Sequence, residues 1–284
     1  MGMSAATSLE KQHSQTLVIR PPAGFAGLGI GDLWRSRELV LFLTWRDVKI
    51  RYKQTVLGAS WAILQPFLTM IVFTLVINHI GRIKTPIPYP LFSLSTLALW
   101  FYFANAVNMT SNSLVGSAPL ITKVYFPRLS VVISPLLSGL VDFALALVLV
   151  AGAMVYYGFT PPLQALLTPL FVVLAMLIAL GLGLVLSALN VRYRDIRYAV
   201  PFVMTLWLWA SPVAYPGGAI PHKYHLIYTL NPMTGVVEGY RWALLGLGPV
   251  HLTTIAVSIG TALVLVLGGA VYFSRAERAF ADVI

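Results

Sequence analysis

Charged residues leave long stretches of this 284-residue chain empty. No Lys, Arg, Asp or Glu occurs from Ala59 to Gly81, from Thr85 to Thr122, from Tyr198 to His222 or from Trp242 to Ser274, and Asp142 is the single one between Leu129 and Val191. A soluble fold faces water on all sides and cannot keep its charges out of such runs. A hydrocarbon core about 30 Å thick takes roughly 20 apolar residues per helical crossing, and a charge at its centre costs about 2.5–3.5 kcal/mol on insertion scales. Six apolar blocks, near 59–80, 90–110, 129–156, 163–189, 199–215 and 252–273, therefore predict an all-α membrane protein with six transmembrane helices.

The segments between and before these blocks are not ordinary loops. Residues 1–30 are polar, then rich in Pro and Gly, and read as a flexible lead-in. Residues 31–57 are helix-permissive, with Asp32 as a candidate N-cap. Trp34, Leu41, Trp45, Val48 and Tyr52 share one face, and Arg46, Lys49 and Lys53 an adjacent one. That pattern suits a basic amphipathic helix lying on the cytoplasmic membrane surface or packing on a partner. Residues 111–128 are too polar to span and too apolar for free solvent, which suggests a short docking helix. Residues 215–250 carry Pro216, Gly217, Gly218, Pro221, Pro232 and Pro249 among aromatic and aliphatic residues, and read as re-entrant or interfacial helices. A transmembrane domain over 58–274 and a short tail over 275–284 complete the organisation.

Charge then fixes an orientation. The chain is 58% hydrophobic and 10% charged, against about 25% charged in an ordinary soluble domain. Of its 19 Lys and Arg, 15 fall on the side that holds both termini and 4 on the other, so the positive-inside rule puts both termini in the cytoplasm. This asymmetric placement explains the net charge of +10 without nucleic acid. The first thirty residues lack the apolar core of a signal peptide, so the first crossing is expected to serve as an uncleaved anchor. With no Cys there is no disulfide framework and no thiolate metal site.

Catalytic spacings are missing: no His-Glu-x-x-His, no Gly-x-Ser-x-Gly and no phosphate-binding loop ending in Lys-Ser/Thr. Asp142 is either a functional intramembrane acid or a carboxylate hydrogen-bonded inside the bundle. Glu238 and Arg241, three residues apart, make either a local ion pair or part of an external gate. Trp61, Phe67, Trp207, Trp209 and Tyr215 fit membrane interfaces or a tunnel whose aromatic faces stack on sugar rings.

Five stretches in order resemble one family. The run from Arg51-Tyr52-Lys53-Gln54 to Leu64-Gln65-Pro66 is similar to the entry of the first helix in ABC-2-type permeases that export polysaccharides, among them O-antigen, capsule and teichoic-acid exporters. Lys123-Val124-Tyr125-Phe126-Pro127-Arg128 resembles the family's loop between helices two and three, and Asn190-Val191-Arg192-Tyr193-Arg194-Asp195 its loop between four and five. Ser211-Pro212-Val213-Ala214-Tyr215, and Asn231-Pro232 followed by Glu238 and Tyr240-Arg241, resemble its external segment. The resemblance implies a homodimer in the inner membrane, bound by two copies of a separate cytoplasmic ATPase that carries ATP and Mg, with no cofactor in this chain. It implies a polysaccharide on a polyprenyl diphosphate carrier as cargo, moving through a channel between subunits. Lys123, Tyr125, Phe126, Arg128, Arg194 and Asp195 would then meet the ATPase, and Arg46, Lys49, Arg51 and Lys53 the lipid diphosphate. The competing expectations are a permease of this fold that exports a drug or lipid, an integral-membrane enzyme, and an ion channel or ion-coupled carrier.

Overall fold

The computed structural model describes residues 34–53, 58–124 and 126–277, the side chains of Ala219 and His222 excepted. The lead-in over 1–30, Tyr125 and the last seven residues of the expected tail lie outside the described residues. Every regular element among the described residues is helical. Helix α1 covers Arg37–Tyr52. Helix α2 covers Ser60–Phe73 and continues as a wider π-helical segment, Thr74–Ile80. Helix α3 is Tyr89–Gly116, α4 a single turn at Ala118–Ile121, and α5 Leu129–Tyr156. A 3-10 turn at Leu163–Leu167 leads into α6, Thr168–Arg192. Then come α7, Ile196–Ala210; α8, His225–Leu230; α9, Pro232–Leu245; and α10, Leu252–Glu277.

Five of these helices are long and apolar enough to cross a bilayer: Ser60–Ile80, Tyr89–Gly116, Leu129–Tyr156, Leu163–Arg192 and Leu252–Glu277. Helix α7 is apolar but has 15 residues, about 22 Å at 1.5 Å per residue. The central element is α3. Of its apolar window 78% is buried inside the chain, against 11% for Ser60–Ile80, so α3 is the axle of the bundle and α2 is peripheral. Both α2 and α7 turn large apolar side chains outward, among them Phe67, Leu68, Val72, Phe202, Leu206 and Trp209. In lipid, helices gain no hydrophobic energy by meeting; close packing and hydrogen bonds hold them. The Ser and Thr hydroxyls buried along α3 bond back to the preceding turn, as Thr110 does to the Ala106 carbonyl at 2.7 Å, which satisfies them without a break in the helix.

The chain from Ser211 to Ala214 is irregular and buried, an arrangement that would be costly without donors for its carbonyls. The Ser211 carbonyl accepts from the Val213 amide at 2.7 Å, and the others, with that of Ala210 at the helix end, take side-chain donors. Asn231 Nδ2 donates to the Ala210 carbonyl at 3.1 Å, Thr96 to that of Val213 at 2.9 Å and Tyr89 to that of Ala214 at 2.7 Å. Arg241 donates to the Pro212 carbonyl. The helix expected over 199–215 thus ends at Ala210, because these side chains replace the intrahelical bonds that Pro212 would interrupt.

The docking helix expected over 111–128 is not one element. Residues up to Gly116 extend α3, and only the turn α4 and a short irregular stretch follow. The polar run at Ser111–Ser113 stays helical inside the bundle because Asn190, buried on α6, donates to the Ser111 carbonyl at 2.9 Å and to Asn112 Oδ1 at 3.1 Å.

Candidate functional site

Polar side chains gather at two opposite ends of the bundle. The first cluster joins α1 to α5. Asp47 Oδ2 accepts from Ser134 at 2.8 Å, and four residues further on Arg51 pairs with Asp142 and donates to Ser138 at 3.3 Å. Positions on both helices advance together, so α1 runs lengthwise along the first half of α5. Asp142 lies 13 residues into α5, about 20 Å from its start, and its carboxylate also accepts from the Tyr52 hydroxyl. Burial lowers the Arg51 guanidinium from its ordinary value, with Tyr52 and Asp47 acting against that shift. Burial likewise raises Tyr52, which keeps it a hydrogen-bond donor. The intramembrane acid therefore has a cation and a hydroxyl for partners.

Helix α1 divides the face that periodicity assigns to it: Val48 and Tyr52 turn to the protein, and Trp34, Leu41 and Trp45 do not. Val40, Leu43 and Val48 are buried, while Trp34, Leu41 and Trp45 are exposed. Asp47 bonds Ser134 of α5, and Arg51 bonds Ser138 and Asp142 of α5 and Met109 of α3, so both turn inward. Of the four basic residues singled out here, Arg46 pairs with Asp47 at 2.8 Å, Arg51 with Asp142, and the Lys49 ammonium lies 5.6 Å from the Trp45 ring centroid. Lys53 is exposed at the end of α1. Beside this cluster a cavity of about 230 Å³ opens between α1, α2, α3 and α5, lined by Arg51, Trp61, Gln65, Asn105 and Asp142 among others.

Near the same end, Lys123 is exposed, Phe126 is half-buried, and Arg128 donates to the Glu277 carbonyl at 2.6 Å with its Nε 3.8 Å from the Glu277 carboxylate. The segment before α5 is thereby tied to the end of α10. Arg194 and Asp195 are exposed between α6 and α7.

The second cluster lies at the other end of α10. Asn231 caps α9, accepting from the Met233 amide at 3.0 Å ahead of Pro232 in the first turn, and Gly246 closes the helix in the left-handed region, φ 66°. Helix α9 is held inside the fold, with Met233, Val236, Val237, Tyr240 and Ala243 fully buried. Glu238 and Arg241 project from it, yet they form no ion pair among the described residues. Glu238 Oε1 accepts from the Tyr228 hydroxyl at 2.6 Å. Arg241 reaches the Pro212 carbonyl and lies 4.1 Å over the Phe92 ring. Burial, then the bond to Glu238, raises Tyr228 and keeps its phenol protonated. Tyr228 had no signal in the sequence, since nothing in its spacing marks it as a partner of Glu238.

The five aromatics divide. Trp61, Phe67 and Trp209 are exposed, and Trp209 packs at 5.3 Å on Phe73. Tyr215 donates to the Trp209 carbonyl at 2.9 Å. Trp207 instead turns into the bundle, edge-on to Phe103 at 5.4 Å, with its indole N–H on Asn231 Oδ1 at 2.9 Å.

Five membrane-length helices, four of them around the buried α3, define a multi-pass membrane protein, and among the described residues no group of three His, Cys, Asp or Glu side chains is placed to hold a metal. Residues 38–245 match the family described as ABC-2 type transporter, and the chain belongs to that family. Its members are transport permeases of ABC transporters, not enzymes, and work with a nucleotide-binding subunit. The chain is 31% identical over 214 residues to the O-antigen export system permease protein RfbA of Myxococcus xanthus, covering 75% of this chain and 82% of that one. It is 25% identical over 248 residues to the RfbA permease of Klebsiella pneumoniae, covering 87% and 95%. It is 26% identical over 243 residues to the polysialic acid transport protein KpsM of Escherichia coli, covering 84% and 92%.

Proposed function

We propose that this chain is the membrane subunit of an exporter that carries a polyprenyl-diphosphate-linked, O-antigen-like polysaccharide across the inner membrane, driven by ATP hydrolysis in a separate subunit. The observation that carries this reading is similarity over most of the chain to relatives named for O-antigen export and polysialic acid transport. The outward apolar faces of α2 and α7 support a homodimer whose subunits meet there. Trp61, Phe67, Trp209 and Tyr215 would line the channel, and Trp207 would brace that wall from behind. With α7 as a sixth, tilted crossing, α8 and α9 form the re-entrant external hairpin, and Glu238 and Arg241 belong to its gate. Residues 31–57 act as the interface helix ahead of a transmembrane domain over 58–274.

Each end of the bundle has a role in this reading. Arg51 commits its charge to Asp142, so capture of the carrier diphosphate rests on Arg46, Lys49 and Lys53, where lysines supply mobile point charges. Lys123, Tyr125, Phe126, Arg194 and Asp195 face the ATPase, and Arg128 holds their loop against α10. The test is the complex of this chain with its partner ATPase, reconstituted in lipid. Lipid-linked glycan is expected to stimulate ATP hydrolysis. The pair Lys49→Gln with Lys53→Gln lowers that stimulation while basal hydrolysis stays, since the other cytoplasmic-side cations preserve topology. Phe126→Ala weakens coupling by removing an apolar contact of about 1.5–3 kcal/mol. Stimulation by a drug-like or phospholipid substrate alone, with none by lipid-linked glycan, would show that the cargo is of another class.

Topology gives a second check. The chain has no Cys, so single exposed cysteines report cleanly. Thr122→Cys and Arg194→Cys are expected to resist an impermeant thiol reagent added to intact cells, and Lys84→Cys and Gly218→Cys to react. Labelling of the first pair from outside overturns the orientation.

A further inference from the structure

The arginines near the inner end of the bundle differ in their company. Arg46, Arg51 and Arg128 each sit beside an acid, Asp47, Asp142 and Glu277 in turn. Arg192 and Arg197 flank the turn between α6 and α7; both are exposed, and among the described residues neither forms an ion pair. Each guanidinium lies against the ring that follows it. Arg192 is 5.4 Å from the Tyr193 centroid and Arg197 4.6 Å from that of Tyr198. Stacking on an aromatic face orients the guanidinium plane and leaves its N–H edge for other partners. Arg197 gives one N–H to the Tyr198 hydroxyl at 2.6 Å. The remaining donors of the two side chains are open to a ligand.

Helix α7 continues this pair with an apolar lane. Tyr198, Phe202 and Leu206 follow one another at intervals of four along one side, and each is more than half exposed. Cations at the end of an exposed apolar lane fit an amphiphile with an anionic head. The guanidinium fork suits phosphate, because it reaches two oxygens at once. Two such forks match a head of two linked phosphates better than a headgroup with a single charge. We infer that Arg192 and Arg197 bind the diphosphate of the lipid-linked cargo at the inner end of α7, its polyprenyl tail leaving along Tyr198 and Phe202. The inference rests on the export reading for the nature of the lipid. Lys49 and Lys53 offer point charges without a fork, so the bidentate part of headgroup capture falls to the α6–α7 turn, at the foot of the proposed channel wall.

The complete permease–ATPase complex in phosphatidylcholine nanodiscs tests it, with a bimane label on Ala199→Cys as local reporter. Ala199 is exposed in the first turn of α7, and the permease has no Cys of its own; the ATPase is used in a Cys-free form. Undecaprenyl diphosphate is expected to shift the fluorescence saturably, and undecaprenol to leave it unchanged. Arg192→Gln with Arg197→Gln should raise the midpoint at least about tenfold, as loss of charge-assisted hydrogen bonds implies. Arg192→Lys with Arg197→Lys keeps the charge without the fork and should fall between the two. Both pairs are surface changes, so the melting temperature should stay at the wild-type value. Absence of a shift in the wild type overturns the site, as does a wild-type midpoint in the Gln pair. An equal response to phosphatidylglycerol means that the turn takes any anionic headgroup, and an equal response to undecaprenol that it reads the tail; either overturns the inference. Binding is read here without glycan or ATP. Glycan-stimulated hydrolysis is measured separately, so failure of the site and failure of the export reading give different results.

Discussion

Replacing Asp142 with Leu is expected to remove most of the folded permease, and replacing its partner as well is expected to restore it. Asp142 and Arg51 keep only 17% and 20% of their side-chain surface exposed, and α1 is fastened to α5 through them, Ser138 and Tyr52. Breaking a buried ion pair by removing one member strands the other, at a cost of about 3–5 kcal/mol. Asp142→Leu strands a guanidinium and Arg51→Met strands a carboxylate, so both single variants should melt well below the wild type in detergent. Exchanging both members for apolar residues of similar volume is often neutral or stabilising, and the site is walled by apolar helices. The double variant should therefore recover most of the loss, short of the bond from Tyr52 and that to Ser138. Fluorescence-detected size exclusion over a temperature series measures all three, and the double-mutant cycle isolates the coupling. Losses that simply add in the double variant would show that the two side chains do not depend on each other.

Pairs of this kind explain which features were legible in the sequence. The first, third and fourth long helices follow the charge-free blocks closely; Leu129–Tyr156 has the expected ends, and Ser60–Ile80 differs by one residue from 59–80. Exclusion of charge from hydrocarbon is a local rule, and the sequence records it directly. Where polar groups find distant partners, the local rule misleads. Ser111 and Asn112 mark the end of a span by composition, yet Asn190, far along the chain, covers them and α3 continues to Gly116. The end of α7 depends on donors from Thr96, Tyr89, Asn231 and Arg241, none of them near it in sequence. The orientation of α1 follows the same logic: periodicity grouped Trp34, Leu41, Trp45, Val48 and Tyr52, but of these only Val48 and Tyr52 pack inward, beside Asp47 and Arg51. In the external cluster, spacing suggested an ion pair between Glu238 and Arg241, and the side chains instead take other partners, Tyr228 and the Pro212 carbonyl.

Exchange of Gly181 for Val should disrupt the bundle as strongly, for a different reason. Helices α6 and α10 meet backbone to backbone through two glycines. A Cβ on Gly181 would stand 2.6 Å from the Leu265 carbonyl carbon and 2.8 Å from the Val266 amide nitrogen, and one on Gly269 2.7 Å from the Gly181 carbonyl oxygen. These neighbours are main chain and cannot rotate aside. In a bilayer such close approach is the source of helix association, since lipid tails compete equally well for apolar side chains. Even one inserted methylene group in a packed interior costs about 1–3 kcal/mol, and a branched side chain here must push two helices apart along their shared length. Gly181→Val and Gly269→Val are therefore expected to lower the melting temperature sharply and to deplete the permease from the membrane fraction. The same helix carries its own control. A Cβ on Gly260 or Gly268 meets nothing within 4 Å, and Ala at either site should leave stability unchanged or raise it slightly through better helix propensity. Equal losses at all four positions would mean that glycine serves α10 through its flexibility and not through contact with α6.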